Sequence, residues 1–291
     1  MSAVARELVP RSVPATLRRR RLLEAVAEHS AMVALAAMFM TPILFILLTS
    51  LMTDRQTLTS SIWPEPFSWG NYAKVLETIP FFRYTFNTFT IAFLATVGVV
   101  VSSVPVAYAL SRLEWRGRQA AFLVILATLM LPFQVTVVPL YVSFVKYGWI
   151  PSFKPLIVPA FFGDAFSIFL LRQFFMSIPS ELSDAARVDG ASEWQIMRRV
   201  IVPLARPAIA AIALFNFLYN WNDFFGPLLY LTDDPNLWTL AIGLNEFRSL
   251  HHVEWNLVMA SSAMFMLPVI VLFFLAQRVF IEGVTLTGVK G

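Results

Sequence analysis

Three groups of polar residues stand out in an otherwise apolar chain. The first is Asp184-Ala185-Ala186, with Asp189 and Gly190 just beyond it and Pro203 closing the stretch. Two small side chains bordered by two carboxylates leave a surface that another protein can approach closely. The second is Asn216, Tyr219, Asn220 and Asp223, whose spacings of three, four and seven share one face of a helix. Amides, a carboxylate and an aromatic ring suit a sugar, which offers hydroxyls to hydrogen-bond and a C–H face to stack. Polar side chains in a membrane helix line pathways or bond one helix to another, and Asp223 has the further option of sitting at the outer interface; the pattern leaves these open. Asn87, Gln134 and Asp164 are weaker candidates, read first as packing residues. The third group is the pair His251-His252. Adjacent residues do not converge on a metal unaided and no third ligand is evident, so they read as surface histidines and no metal site is expected.

No catalytic constellation is visible. The chain has no cysteine, which excludes disulfides, thiolate metal sites and cysteine nucleophiles. It also has no Gly-x4-Gly-Lys-Ser/Thr loop of the kind that cradles nucleotide phosphates.

The elements that must position these residues follow from composition. Of 291 residues 58% are hydrophobic and 14% charged, against about 45–50% and about 25% in soluble domains. Six apolar stretches, about 31–52, 85–110, 119–142, 155–176, 207–231 and 258–281, are each long enough to cross a bilayer. Pro42, Pro105, Pro132 and Pro268 fall inside them, tolerated where neighbours satisfy the freed carbonyl. Arg18 to Arg21 precede the first stretch like the head of a signal peptide. The apolar segment outruns a signal core of about 7–15 residues and no cleavage site follows, so it reads as an uncleaved anchor.

Orientation is read from Lys and Arg. With the N-terminus in the cytoplasm, the inner segments hold Arg6, Arg11, Arg18 to Arg21, Arg112, Arg116, Arg118, Arg172, Arg187, Arg198, Arg199, Arg206, Arg278 and Lys290. The outer segments hold Arg55, Lys74, Arg83, Lys146, Lys154 and Arg248. Sixteen of the 22 on one side predict both termini inside the bacterial cytoplasmic (inner) membrane. The net charge of +4 is thereby accounted for by topology, and nucleic-acid binding is not expected.

The inner segment between the fourth and fifth stretches, 177–206, reads as helix, break, helix. Ser180 is a candidate N-cap, Gly190 can take positive φ and end the first helix, and Ser192 with Gln195 matches a capping box. Pro203 and Pro207 then stop the second helix. On physics alone, two amphipathic helices lying on the membrane surface fit equally well.

Asp184-Ala185-Ala186, three residues, Gly190, nine residues and Val200-Ile201-Val202-Pro203 resemble the EAA motif of permease subunits in binding-protein-dependent ABC importers. Asp stands where that pattern has Glu, and Val where it has Ile and Leu. The segments Trp63 to Tyr72, Asn220 to Phe224 with Pro227-Leu228, Thr239 to Leu244, and Gln277 to Gly291 are similar to carbohydrate permeases of the MalG-like group.

The resemblance implies an all-α, six-helix type I importer fold (MetI-like). It implies a basic tail over 1–30, a permease domain over 31–281 and a cytoplasmic tail over 282–291. Asp184, Ala185, Ala186, Asp189, Gly190 and Pro203 inherit the role of a coupling element seated in an ATPase subunit, and Gly288, Val289, Lys290 and Gly291 that of a C-terminal ATPase contact. The implied partners are a homologous second permease, two copies of an ABC ATPase, an extracytoplasmic sugar-binding protein and membrane lipid. ATP and Mg belong on the ATPase subunits, with no cofactor on this chain. The alternatives are an importer for a non-sugar solute such as glycerol phosphate and, in a different class, an ion-coupled secondary transporter. The second is disfavoured because the mid-span regions offer almost no carboxylates or helix breaks.

Overall fold

A computed structural model describes residues 15–248 and 253–288. His251, His252 and the C-terminal residues Val289, Lys290 and Gly291 lie outside the described residues, as do Arg6 and Arg11. Gly288 is the last residue of the final helix.

The main helices are α1 (Ala15–Ser50), α2 (Gly70–Thr78, which does not span), α3 (Phe81–Arg112), α4 (Arg118–Thr128) and α5 (Phe133–Lys146). They continue with α6 (Ala165–Ser177), α7 (Glu181–Val188, in the loop), α8 (Glu193–Leu204), α9 (Arg206–Trp221), α10 (Phe225–Leu231) and α11 (Trp255–Gly288). Four stretches are long and apolar enough to cross a membrane, and six if each sharply bent pair is one crossing.

Three of the six expected spans are not continuous helices. The 119–142 stretch bends by 92° between α4 and α5, with Pro132 at the entrance to α5. Pro132 therefore breaks the helix at its N-terminal entry instead of kinking it from within; it has no N–H to leave unpaired there. The 155–176 stretch is two short turns, Lys154–Ile157 and Val158–Phe162, and then α6. Gly163 at φ +98° makes the corner between them, and Asp164 caps α6 by accepting the Ser167 amide at 2.7 Å. The 207–231 stretch ends its helix at Trp221 and resumes at Phe225.

α3 is the central pillar and packs on both α6 and α9. Gly98 permits the close approach of the Val158–Phe162 turn, because a Cβ there would come within 2.7 Å of the Phe161 ring. α1 stands apart, packed chiefly on α11. Its most apolar 18 residues within Leu23–Ser50 include no buried residue, which leaves Leu35, Phe39 and Phe45 facing outward, and burial begins only at Thr49 and Ser50.

Each end of the bundle is tied by a side chain that closes backbone groups left by a helix end. At one end buried Asn71 donates to the carbonyls of Ser50 and Met52, both at 2.8 Å, and accepts from Asn256 of α11 at 3.1 Å. Nearby, Asn87 donates to the carbonyls of Asn236 and Trp238, both at 2.9 Å. Asn87 is therefore a packing residue, as expected. At the other end Arg112 of α3 donates to the carbonyls of Phe175 and Ile178, where α6 finishes. Arg172 donates to the Leu110 carbonyl at 3.1 Å and lies 4.0 Å over the Phe122 ring.

Replacing Asn71 with alanine orphans two carbonyls that hold α1 against α2 and α11. The protein in detergent should lose stability by roughly 1–3 kcal/mol, read as a lowered thermal unfolding midpoint. An unchanged midpoint would show that water replaces the clamp.

Candidate functional site

The loop between α6 and α9 is built from local rules. Ser180 does not cap α7 with its side chain: its own backbone is already helical (φ −67°, ψ −30°), whereas a capping side chain needs an extended residue. Its carbonyl instead receives the amides of Ser183 and Asp184 at 2.9 and 3.0 Å. The far end closes as expected. Gly190 sits at φ +81°, its amide donates to the Arg187 carbonyl at 3.0 Å, and the Ala191 amide donates to the Ala186 carbonyl at 2.9 Å. That pair of bonds is the Schellman closure. Ser192 and Gln195 form the anticipated capping box, with the Gln195 side-chain oxygen accepting the Ser192 amide at 2.8 Å.

Beyond it, α8 passes through a wide π turn at Met197–Ile201 before Pro203. The chain turns by 78° at Ala205 into α9. Pro203 lies in the last turn of α8 and Pro207 in the first turn of α9, so the prolines flank the corner.

The underside of the loop is core. Ile196 and Ile201 are wholly buried, and with Met197 and Ala205 they pack on Val104, Ala107 and Tyr108 of α3 and Leu171 and Phe175 of α6. Ala186 packs against the same cluster from the side. The outer face is different. Ala185, Asp184 and Asp189 are exposed, and so are Leu182, Trp194 and Val188, the last at 89%.

Charge ties the two loop helices together. Arg187 pairs with Asp184 at 2.7 Å and with Glu193 at 2.7 Å. The hydrogen bond to Glu193 is the main reason the Arg187 pKa rises, and the bond from Arg187 is the main reason the Glu193 pKa falls. Each keeps the other charged.

The polar residues of the fifth stretch divide between two adjoining cavities of about 580 and 590 Å³. Asn216, Tyr219 and Asn220 line the first, where α3 contributes Ala95 and Val99. Tyr219, Asn220 and Asp223 line the second, with Phe133 and Gln134 of α5. Asp223 does not share their helical face, because α9 has ended; it reaches the cavity from the break and accepts the Gly226 amide at 3.2 Å. Gly226 is required there, since a Cβ would come within 2.5 Å of the Asp223 carboxylate. Asn220 donates to the Asn216 carbonyl at 2.8 Å and side-chain oxygen at 3.1 Å, so part of its amide is spent within the helix.

Asp164 and Gln134, ranked low on sequence, line the cavities too. The signal that marks Asp164 is its position between a glycine and Ala-Phe-Ser, a capping context inside an apolar stretch. Tyr219 is 74% exposed and Phe215 50%, so the cavity wall formed by α9 opens sideways out of the chain.

Three comparisons bear on this arrangement. The family described as "Binding-protein-dependent transport system inner membrane component" matches residues 100–285. The chain belongs to that family. The permease is 31% identical to the arabinooligosaccharides transport system permease protein AraQ of Halalkalibacterium halodurans, covering 90% of this chain and 94% of that one. It is 36% identical to the sn-glycerol-3-phosphate transport system permease protein UgpE of Rhizobium meliloti over 70% of this chain and 73% of the relative. Among solved structures it resembles a bacterial ABC transporter involved in the import of the acidic polysaccharide alginate, with a TM-score of 0.74 and 26% identity over 92% of this chain and 98% of the other. The fold is that of an ABC importer permease, and the family match takes in the whole loop and most residues lining both cavities.

Within the permease nothing lies within 4 Å of a Cβ built on Gly190. Gly190→Leu therefore carries only the left-handed backbone penalty of about 1–2 kcal/mol inside this chain. Membrane levels of the variant should match the parent while its uptake falls; full uptake would remove Gly190 from any contact that matters.

Proposed function

We propose that this permease is the transmembrane subunit of an ATP-driven importer of a carbohydrate, a mono- or oligosaccharide, with both termini in the cytoplasm. The observation that carries the reading is the two-sided loop. Its underside is locked into three helices, while Leu182, Ala185, Val188 and Trp194 are left facing outward beside Asp184 and Asp189. An exposed apolar patch rimmed by charge marks a contact with a protein or a membrane, and the resemblance of Asp184 to Pro203 to the EAA motif favours an ATPase subunit as the partner. Two copies of that ATPase carry ATP and Mg. A homologous second permease closes the open side of the cavities, and an extracytoplasmic sugar-binding protein delivers the solute. Gly288 to Gly291 are assigned to the ATPase as well, from the resemblance of the tail.

The cavities support a hydroxyl-rich, uncharged solute. Each volume falls within the roughly 300–1,000 Å³ of small-molecule sites, and the linings combine amides, carboxylates and rings with no Lys or Arg. The UgpE relative favours a second reading, an importer of glycerol phosphate. A phosphate dianion beside Asp164 and Asp223 without a cation would be repelled, which sets that reading second.

The spans do contain breaks and carboxylates, at Asp164 and Asp223. Both carboxylates serve as backbone caps, and an ion-driven carrier would leave the docking face of the loop without a purpose.

The chain purified alone should show no ATP hydrolysis, and the assembled complex should show it; turnover by the isolated chain would contradict the division of labour. In cells, Asn220→Ala should slow uptake of a labelled neutral oligosaccharide by roughly five- to tenfold. Competition by unlabelled glycerol 3-phosphate against that sugar would favour the second reading.

A further inference from the structure

The loop joins α9 directly through Ala205 and follows α6 after Ile178, but it has no covalent link to α3. α3 nevertheless supplies Ala95 and Val99 to the first cavity. One polar bond crosses from α3 to the outer limb of the loop. Tyr108, 4% exposed, donates its hydroxyl to Glu193 Oε2 at 2.5 Å. The other oxygen of that carboxylate, Oε1, accepts from Arg187, which in turn holds Asp184. The acid of the docking motif is thus three links from the pillar of the bundle. Arg112, one turn further along α3, fixes the foot of the helix to the end of α6.

The remaining buried members of the cluster around Tyr108 are apolar. A phenylalanine would fill the same space, and a buried hydroxyl is unfavourable unless it is bonded. The hydroxyl has one partner in the structure, the loop carboxylate. Tyr108 and Val99 are nine residues apart on a single helix, about 13 Å at the rise of an α-helix.

We infer that Tyr108 is a positioning residue for coupling: its bond to Glu193 latches the loop to α3, so that a displacement of Asp184 and Arg187 reaches the cavity wall at Val99 and Ala95. The inference rests on the coupling role proposed above for the loop. The loop also packs on α3 through Ile196, Met197 and Ile201, and the Tyr108–Glu193 bond is the link that still holds when loop and helix are drawn apart.

The test uses the whole importer, this permease with its second permease and ATPase, in lipid nanodiscs. This chain has no cysteine of its own, so with the cysteines of the partner subunits replaced by serine, Phe93→Cys places a single fluorescent label on the exposed side of α3. The probe is ATP with magnesium. In the parent complex ATP should change the label's emission. In Tyr108→Phe, hydrolysis by the complex should continue, while the ATP-dependent emission change falls roughly fivefold, the population change expected when one hydrogen bond of ordinary strength is lost. Glu193→Gln, whose amide oxygen can still accept the phenol proton but which loses the charge facing Arg187, should retain more of the change than Tyr108→Phe. A role in packing alone predicts equal responses in all three. A full response in Tyr108→Phe overturns the latch and leaves the coupling role of the loop standing. Absence of any ATP response in the hydrolysing parent overturns both.

Discussion

A backbone amide or carbonyl freed inside a bilayer has no water to turn to, so a membrane helix can break only where something else satisfies it or where the break borders a wet cavity. Three of the permease's spans are broken, and the breaks obey that rule. Asp164 takes the Ser167 amide after the corner at Gly163, and Asp223 takes the Gly226 amide where α9 gives way to α10. Pro132, at the remaining break, has no amide to satisfy. All three breaks border the cavities: Phe133 and Gln134 beside the first, Gly163 and Asp164 beside the second, Asp223, Phe225 and Gly226 beside the third. Cavity and discontinuity are one feature, seen once as space and once as backbone.

The same rule works differently at the two ends. There Asn71, Asn87, Arg112 and Arg172 take carbonyls from neighbouring segments and cross-link the bundle. Side chains that bridge elements tighten the ends, whereas the caps at Asp164 and Asp223 are local, each reaching three residues along its own chain. Regions held by few long-range bonds open at low cost in free energy. The corner at Gly163 is also tied to α3, where Ser102 donates to the Ala160 carbonyl and Ser103 accepts the Asp164 amide, so the break at Asp223, with no such tie among the described residues, is the more compliant of the two.

How much of this the sequence disclosed follows from what each signal encodes. The loop was legible almost residue by residue, because Gly190, the Ser192–Gln195 pair and Pro203 act through local backbone chemistry. Ser180 misled, since cap preference does not reveal that its backbone had already turned helical. The six crossings were legible as lengths, but apolar composition is blind to direction: Thr128 to Phe133 scores the same whether the helix runs on or turns by 92°. For that reason Asp223 was placed on the face of α9 when it lies beyond the end of the helix. Nothing in the segment Trp63 to Tyr72 marks Asn71 as a clamp, because its partners, Ser50, Met52 and Asn256, are far away in sequence. Only a tertiary structure brings such contacts together.

Three kinds of connection now meet in the loop. It is continuous with α9 across the corner at Ala205, it is packed on Phe175 and Ile178 at the end of α6 and on Val104, Ala107 and Tyr108 of α3, and it is hydrogen-bonded to α3 through Glu193. Those same helices supply opposing walls of the first cavity: Asn216, Tyr219 and Asn220 from α9, Phe166 and Ser167 from α6, Ala95 and Val99 from α3. A force applied at this short segment would reach the α9 wall through the chain, the α6 wall through packing, and the α3 wall through packing and one hydrogen bond. Covalent continuity carries push and pull alike, packing resists compression, and a single charged hydrogen bond yields first under tension. The walls need not respond in step: under compression α3 and α6 are pushed alike through packing, whereas under tension the pull on α3 falls on the Tyr108–Glu193 bond.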